Sequence, residues 1–254
     1  MTLHHQTAGP PDGPPVLLAG SLGTTLSMWD GVVTALSDTY NTIAYDQLGH
    51  GASPAPPGPY TIAQLGEAAV ALLDALGIER ASFVGLSIGG MVGQWLGAHA
   101  PERVDRLVLL CTSAHVPPAQ PWRDRAATVR AAGSPEPIAD AVAARWLTAP
   151  YAGKHPDRLA ALRAMLASQP AEGYAACCEA IAAMDQRHDL AAISAPTLVI
   201  GGAQDLAIPT EHQRRLAQHI PGARLEILDP GAHVVAVERP ADVAHLIADH
   251  LEVP

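Results

Sequence analysis

The segment Gly85-Leu86-Ser87-Ile88-Gly89 decides the fold, because it stands between a short apolar run and a helical stretch. The run is Ser82 to Val84, and a helix is expected over Gly90 to Ala100, where Pro101 ends it. A serine with a glycine two residues away on each side is typical of a tight strand-to-helix turn, which has no room for those side chains. Ser87 is therefore the candidate nucleophile, and the backbone N–H of Ile88 is a candidate oxyanion donor. An ordinary glycine-rich turn is the alternative interpretation.

Other short apolar runs alternate with helical stretches along the chain, which indicates a parallel sheet with crossover helices. Apolar residues at three- and four-residue spacing predict a helix over Thr61 to Leu76, and another closes the chain over Pro240 to Leu251. The remaining predicted strands, in chain order, are Val16 to Ala19, Thr42 to Tyr45, Leu107 to Leu110, Thr197 to Ile200 and Leu225 to Leu228.

Residues 115–190 interrupt this alternation. They contain no strand-like run, they favour helix, and Pro117 and Pro118 stand at their start. We therefore expect a helical cap over residues 115–190, inserted into a core made of residues 1–114 and 191–254.

A serine nucleophile needs a base and an acid that orients the base, which follow in the chain order Ser, Asp, His for this architecture. Asp205 and His233 each follow one of the last two predicted strands. Carboxyl ends of parallel strands are where active sites of such sheets form, so these two residues are the candidate acid and base. Asp229 is the alternative acid, and His50 is the alternative base on a strand-end loop.

The loop after the first predicted strand, Gly20-Ser21-Leu22-Gly23, should supply the second oxyanion donor. The backbone N–H of Leu22 is the candidate by position, and the Ser21 hydroxyl is expected to line the pocket. A plain turn with neither role is the alternative.

Composition limits the class of protein. The chain has 254 residues with 48% hydrophobic content, enough for a folded core, and a formal net charge of −10. That charge argues against a nucleic-acid or anionic-membrane partner, while the oligomeric state stays open. Three cysteines, two of them adjacent, and no secretory signal in Met1 to Pro15 predict a cytoplasmic protein.

Motifs for other chemistries are missing from the sequence. There is no phosphate-binding Gly-Lys-Ser/Thr loop, no dinucleotide-binding glycine pattern opening a helix, and no zinc-binding H-E-x-x-H. We therefore expect neither a cofactor nor a metal ion.

The chain resembles the α/β-hydrolase family over nearly its whole length, and within it the 3-oxoadipate enol-lactonases of aromatic-compound degradation. The resemblance rests on residues 20–29, 85–91 and 173–178, with Asp205 and His233 where the family has its acid and base. It implies an α/β-hydrolase fold, a mostly parallel sheet flanked by helices with an inserted helical cap. Two features depart from the family. Leu48 stands where many members have arginine, and little more than Leu3 to Thr7 represents the N-terminal strands, which leaves the usual opening hairpin in question.

The resemblance also implies an activity. It is that of a serine hydrolase that opens the lactone ring of 3-oxoadipate enol-lactone, an anion with one free carboxylate, through an acyl-enzyme. A carboxylesterase or another serine hydrolase of this fold with a different ester or lactone substrate is the alternative. A non-catalytic binding protein on the same fold is a further one.

A substrate carboxylate needs a cation, and the cap is where cations are available. It contains seven arginines and Lys154 against eight acids, so the whole negative surplus belongs to the rest of the chain. Arg145 is the first candidate anchor, and Trp146 beside it is expected either to line the pocket or to hold the cap on the sheet. Further candidates are Arg123, Arg125 and Arg187, and a solvated arginine on a helix face is the alternative for each.

Overall fold

The computed structural model describes residues 2–252, and a seven-stranded sheet forms its centre. Every strand predicted from an apolar run is present, extended by one to three residues at its ends. The strands are β1 His5–Ala8, β2 Pro15–Ala19, β3 Asn41–Tyr45, β4 Ala81–Leu86, β5 Val104–Leu110, β6 Thr197–Gly202 and β7 Arg224–Leu228.

The strand order is β1-β3-β2-β4-β5-β6-β7, and all neighbours are parallel except β1, which is antiparallel to β3. The opening hairpin that the sequence left in question is represented in the described residues by β1 alone, and β1 pairs with β3. Since β2 to β7 point the same way, the loops after these strands gather at one edge of the sheet.

The central strands are apolar throughout because both of their faces are covered. All six residues of β4 are buried, as are Val16 to Ala19 of β2, whereas β7 at the sheet edge has only exposed and half-buried positions. Helices α2 and α3 pack against each other, and so do α1 and α11. The helices outside the cap are α1 Asp30–Leu36, α2 Ile62–Ala75, α3 Ile88–His99, α9 Thr210–His219, α10 Val235–Glu238 and α11 Pro240–Glu252.

Helix α2 shows how local sequence sets the element boundaries. The Thr61 side chain accepts from the backbone N–H of Gln64, whose side chain accepts from the Thr61 N–H in return, so two free donors at the helix start are satisfied. At the other end Gly77 adopts a φ of 69°, a conformation that favours glycine and ends the helix. The predicted boundaries of this helix are confirmed to within one residue.

The segment between β5 and β6, all of which the structure describes, consists only of helices and loops. Helix α4 packs against α8 and α5 against α7, so these helices form a layer of their own. They are α4 Gln120–Ala132, α5 Ala139–Ala143, α6 Ala149–Lys154, α7 Pro156–Ala167 and α8 Ala171–Ala183.

Candidate active site

Ser87 occupies a strained turn between β4 and α3. Its φ is 58° and its ψ is −116°, a backbone conformation that L-residues rarely adopt. A Cβ at Gly85 would lie 2.2 Å from the carbonyl oxygen of Gly89, and one at Gly89 would lie 2.3 Å from the Ala19 oxygen. The two glycines are therefore required by space. The turn is the predicted strand-to-helix turn, and α3 starts at Ile88, two residues earlier than the sequence indicated.

Asp205 and His233 meet at the carboxyl edge of the sheet, in the loops after β6 and β7. The Asp205 Oδ2 lies 2.9 Å from the Nδ1 of His233, and both side chains are almost completely buried. The other oxygen, Oδ1, accepts the backbone N–H groups of Ala207 and Ile208 at 2.8 and 2.9 Å. Because an ionised carboxylate only accepts, Nδ1 carries the imidazole proton, which leaves Nε2 free to accept one.

The alternative acid, Asp229, is engaged elsewhere. Its Oδ1 accepts from Gln204 Nε2 at 2.9 Å, and the Oε1 of the same glutamine accepts the Gly231 N–H at 2.8 Å. The Gln204 N–H in turn donates to the Gly231 oxygen at 2.8 Å. This network ties the Asp205 loop to the His233 loop, and Asp205, not Asp229, is the carboxylate bonded to His233.

The segment after β2 is held by a buried histidine that the sequence offered as an alternative base. The N–H of Gly23 donates to His50 Nε2 at 2.9 Å, so the ring is an acceptor at that atom and is neutral. Burial lowers the pKa of His50 to about 4, which keeps it neutral at physiological pH. Leu48, in the same loop, is half-buried, and its carbonyl accepts from the Cys177 thiol at 3.6 Å.

Two backbone donors flank Ser87. Ile88 is the first residue of α3, so its N–H has no acceptor within the helix. The N–H of Leu22 makes no hydrogen bond within residues 2–252, although the neighbouring Gly23 and Thr24 N–H groups are both bonded. Free N–H groups on two loops beside a serine can stabilise an oxyanion.

Most of the predicted site residues line one narrow cavity of about 50 Å³, although Asp205 and Ile88 are not in its wall. Trp146 is buried and contributes to the wall, and its carbonyl also accepts the Val234 N–H at 2.9 Å, so it both lines the pocket and ties the cap to the core. A larger cavity of about 650 Å³ is bounded by the two ends of the cap and by α9. None of Ser87, Asp205 and His233 lies in its wall. The lining residues of the narrow cavity are Ser21, Leu22, Ser87, Met91, Trp122, Arg125, Val142, Arg145, Trp146, Tyr174, Ala207, Ile208 and His233.

Two cap arginines give the cavity a positive wall. Neither Arg125 nor Arg145 has a carboxylate within ion-pair distance among the described residues. Both side chains line the cavity, and the pKa of Arg145 is lowered by burial and by the positive charge of Arg125. Burial likewise raises the pKa of the Tyr174 hydroxyl, and the nearby positive charges of Arg125 and Arg145 oppose that rise.

The other two candidate arginines lie away from Ser87. Arg123 is exposed and is not in the cavity wall. Arg187 pairs with Asp185 at 2.6 Å and lines the larger cavity instead. Of the four arginines considered from the sequence, the structure brings together Arg125 and Arg145.

The sequence indicated no role for Tyr174. It also did not indicate that His50 accepts a hydrogen bond from the Gly23 N–H. Trp122 was also not predicted, although it lies three residues before the candidate Arg125, a spacing that places both on one face of α4. No local signal marks His50 or the hydroxyl of Tyr174, because both depend on contacts between distant segments.

Within residues 2–252, no group of three or more histidine, cysteine, aspartate or glutamate side chains could hold a metal ion. No helix in that range is long and apolar enough to cross a membrane.

Comparison with known proteins agrees with this architecture. The alpha/beta hydrolase fold family matches residues 14–240. The chain is 43% identical over 247 residues to 3-oxoadipate enol-lactonase 2 of Acinetobacter baylyi, covering 97% of this chain and 92% of that protein. The crystal structure of the enol-lactonase from Burkholderia xenovorans has a TM-score of 0.95 at 42% identity and covers 99% of this chain and 96% of that chain.

A thermophilic esterase from Thermogutta terrifontis, solved with malate bound, has a TM-score of 0.92 at 29% identity, covering 98% of this chain and 92% of that chain. The family match spans most of the sequence, and the enol-lactonase similarity spans nearly all of it. The chain therefore belongs to the α/β-hydrolase family.

Proposed function

We propose that this protein is a serine hydrolase that opens the lactone ring of 3-oxoadipate enol-lactone to give 3-oxoadipate. The observation that carries the proposal is the pair Arg125 and Arg145, which have no carboxylate partner and line the same cavity as Ser87 and His233. The lactone carbonyl of this substrate suits the serine nucleophile, and its free carboxylate suits the two arginines beside it. Relatives that carry the name 3-oxoadipate enol-lactonase support the same substrate.

Ser87 is the nucleophile in this proposal. His233 Nε2 takes the Ser87 hydroxyl proton while Oγ attacks the lactone carbonyl carbon, and Asp205 stabilises the imidazolium through Nδ1. The tetrahedral oxyanion is held by the N–H groups of Leu22 and Ile88. The hydrogen bond from the Gly23 N–H to His50 and the start of α3 hold these donors in place before the substrate arrives.

Collapse of the tetrahedral intermediate breaks the ring carbon–oxygen bond and leaves the acyl group on Ser87. The leaving oxygen is an enolate, which departs more readily than an alkoxide, so proton donation from His233 is less demanding than in an alkyl ester. The enol stays attached to the acyl chain and converts to the ketone, which disfavours re-closure. Water activated by His233 then releases 3-oxoadipate.

The substrate carboxylate lies against Arg125 and Arg145 in this proposal, with the Tyr174 hydroxyl as a further donor. Charge-assisted hydrogen bonds from guanidinium groups are the strong kind, and partial burial strengthens them. The helices of residues 115–190 act as a cap that supplies this specificity, while the core of residues 1–114 and 191–254 supplies the reacting groups. Three free thiols, Cys111, Cys177 and Cys178, support a reducing cytoplasmic location.

The test is an assay of purified protein on the enol-lactone beside a panel of neutral esters and lactones. We expect kcat/KM to be highest for the anionic lactone and Ser87→Ala to lower turnover by about 10⁴-fold or more with the melting temperature unchanged. Preference for neutral esters would instead indicate a carboxylesterase. Absence of both turnover and fluorophosphonate labelling at Ser87 would indicate a binding protein.

A further inference from the structure

Glu238, at the end of α10, is a buried carboxylate without a cation. It is 7% exposed, and no arginine, lysine or histidine of residues 2–252 pairs with it. Its Oε2 accepts the N–H of Ala232 at 2.9 Å. Its Oε1 accepts the Thr148 hydroxyl in a short hydrogen bond and the Thr148 N–H at 3.3 Å.

These partners belong to the two sides of the candidate active site. Ala232 directly precedes His233, and Thr148 follows Arg145 and Trp146 in the cap by two to three residues. A second hydrogen bond, from the Val234 N–H to the Trp146 oxygen, runs beside the carboxylate at 2.9 Å. Glu238 therefore joins the base loop to the cap segment that lines the cavity.

A buried carboxyl group in this position needs a physical reason. Removing a carboxylate from water is unfavourable unless hydrogen bonds replace its hydration. Neither connected segment has a regular ladder to hold it, since 229–234 is a loop after β7 and 144–148 joins α5 to α6. Donors of both segments end on one carboxylate, so this side chain, together with the hydrogen bond from the Val234 N–H to the Trp146 oxygen, sets their relative position.

We propose that Glu238 is a positioning residue with two separable effects, one on His233 through Ala232 and one on the Arg145-Trp146 wall through Thr148. The proposal rests on the proposed function for its anionic substrate. The Ala232 contact controls the orientation of the base and so affects kcat for every substrate. The Thr148 contact controls the cationic wall and so affects KM only for a substrate with a carboxylate.

The experiment compares Thr148→Val, Thr148→Ser, Glu238→Gln and Glu238→Leu on the enol-lactone and on a small neutral ester. Thr148→Val keeps the volume and removes the hydroxyl, and we expect KM for the lactone to rise about tenfold with kcat for the neutral ester unchanged. Thr148→Ser restores the hydroxyl and should restore KM.

The glutamate variants test the other effect. In Glu238→Gln the amide oxygen takes the place of Oε2, which accepts the N–H groups of Ala232 and Thr148 at 2.9 and 3.4 Å, while the amide nitrogen donates to Thr148 Oγ1, so activity should stay within about threefold of wild type. Glu238→Leu removes both contacts, and kcat for the neutral ester should fall about 30-fold while KM for the lactone also rises.

Several outcomes would overturn the proposal. A Thr148→Val variant that lowers kcat on the neutral ester as much as Glu238→Leu would show that the two effects are not separable. Unchanged kcat and KM in Glu238→Leu, with only a lower melting temperature, would show a purely structural role. If Glu238→Leu does not fold, the Thr148→Val variant decides alone, and an unchanged KM for the lactone in that variant would reject the proposal. Failure of the proposed function is visible separately, as wild-type protein that does not open the lactone.

Discussion

The carboxyl edge of the sheet and the cap present opposite kinds of polar groups to one cavity. At the sheet edge the side chains have their partners already, as in Asp205, whose two oxygens accept from His233 and from two backbone N–H groups. On the cap side Arg125 and Arg145 face the cavity with no carboxylate partner among the described residues. The polar groups at the sheet edge are thus fixed by the protein, whereas in the proposed function the substrate carboxylate completes the cationic wall.

This contrast does not arise from a shortage of acids in the cap. Arg130 binds Glu172 and Glu179 at 2.8 and 2.6 Å, and Arg163 binds two acids of its own, Glu136 and Asp140. The cap therefore neutralises Arg130 and Arg163 with carboxylates, whereas Arg145 and Arg125, which lies 4.6 Å from the Trp122 ring centre, have no carboxylate partner among the described residues.

Replacing Asp205 breaks the fixed side of the comparison and has the largest expected effect. In Asp205→Asn the amide N–H₂ faces His233 Nδ1, which forces the imidazole proton to Nε2, where it blocks proton abstraction from Ser87. We expect kcat to fall about 10⁴-fold with KM little changed. Asp229→Asn is the matched control, and a comparable loss there would make Asp229 the acid. Initial rates on the lactone measure both variants.

Replacing His50 tests how much the burial of this neutral histidine contributes to the pH dependence of the free energy of unfolding. The pKa of His50 is about 4 in the folded protein, below its ordinary value of 6.5, so the unfolded chain binds a proton first as pH falls. The free energy of unfolding should therefore decrease between pH 6.5 and pH 4, with a contribution from His50 of about 3 kcal/mol. Burial lowers the pKa of His212 and His250 too, so both add to the slope.

The control for this slope is His50→Gln, which does not titrate. Urea unfolding at pH 4, 5, 6 and 7 should give a shallower decrease for His50→Gln than for wild type. Equal slopes would mean that His50 is not the neutral, buried group described above.

Features that depend on local sequence were predictable, whereas contacts between distant segments were not. Ser87 and its two glycines were predictable because the turn needs space at two fixed positions. The central strands were predictable because a strand covered on both faces is apolar along its whole length. Which arginines line the cavity depends on how α4 packs: Arg123 and Arg125 are two residues apart, yet only Arg125 shares the face of Trp122. The Glu238 contact joins residues 90 positions apart, and no periodicity indicates it.

The link from His50 to the oxyanion segment gives the next largest effect on rate. In His50→Leu the Gly23 N–H loses its acceptor, so the neighbouring Leu22 N–H is no longer held beside Ser87. We expect kcat to fall about 100-fold, the size of the loss of one oxyanion donor. His50→Gln places an amide oxygen near the former Nε2 and should recover most of the rate. If His50→Leu retains full kcat, the histidine has only a packing role.

Replacing the cationic wall has the smallest effect, and it tests the other half of the comparison. Arg145→Ala and Arg125→Ala should each raise KM for the anionic lactone about tenfold, since each removes one charge-assisted hydrogen bond to the carboxylate. Neutral esters should show no change in KM. The melting temperature should not fall in Arg145→Ala, because no carboxylate loses its partner, and should fall slightly in Arg125→Ala, which loses the contact of its guanidinium with the Trp122 ring. Arg123→Ala, on the exposed face of the same helix, is the matched control and should behave as wild type. An equal rise in KM for neutral esters would mean that these arginines shape the pocket through their bulk and not through their charge.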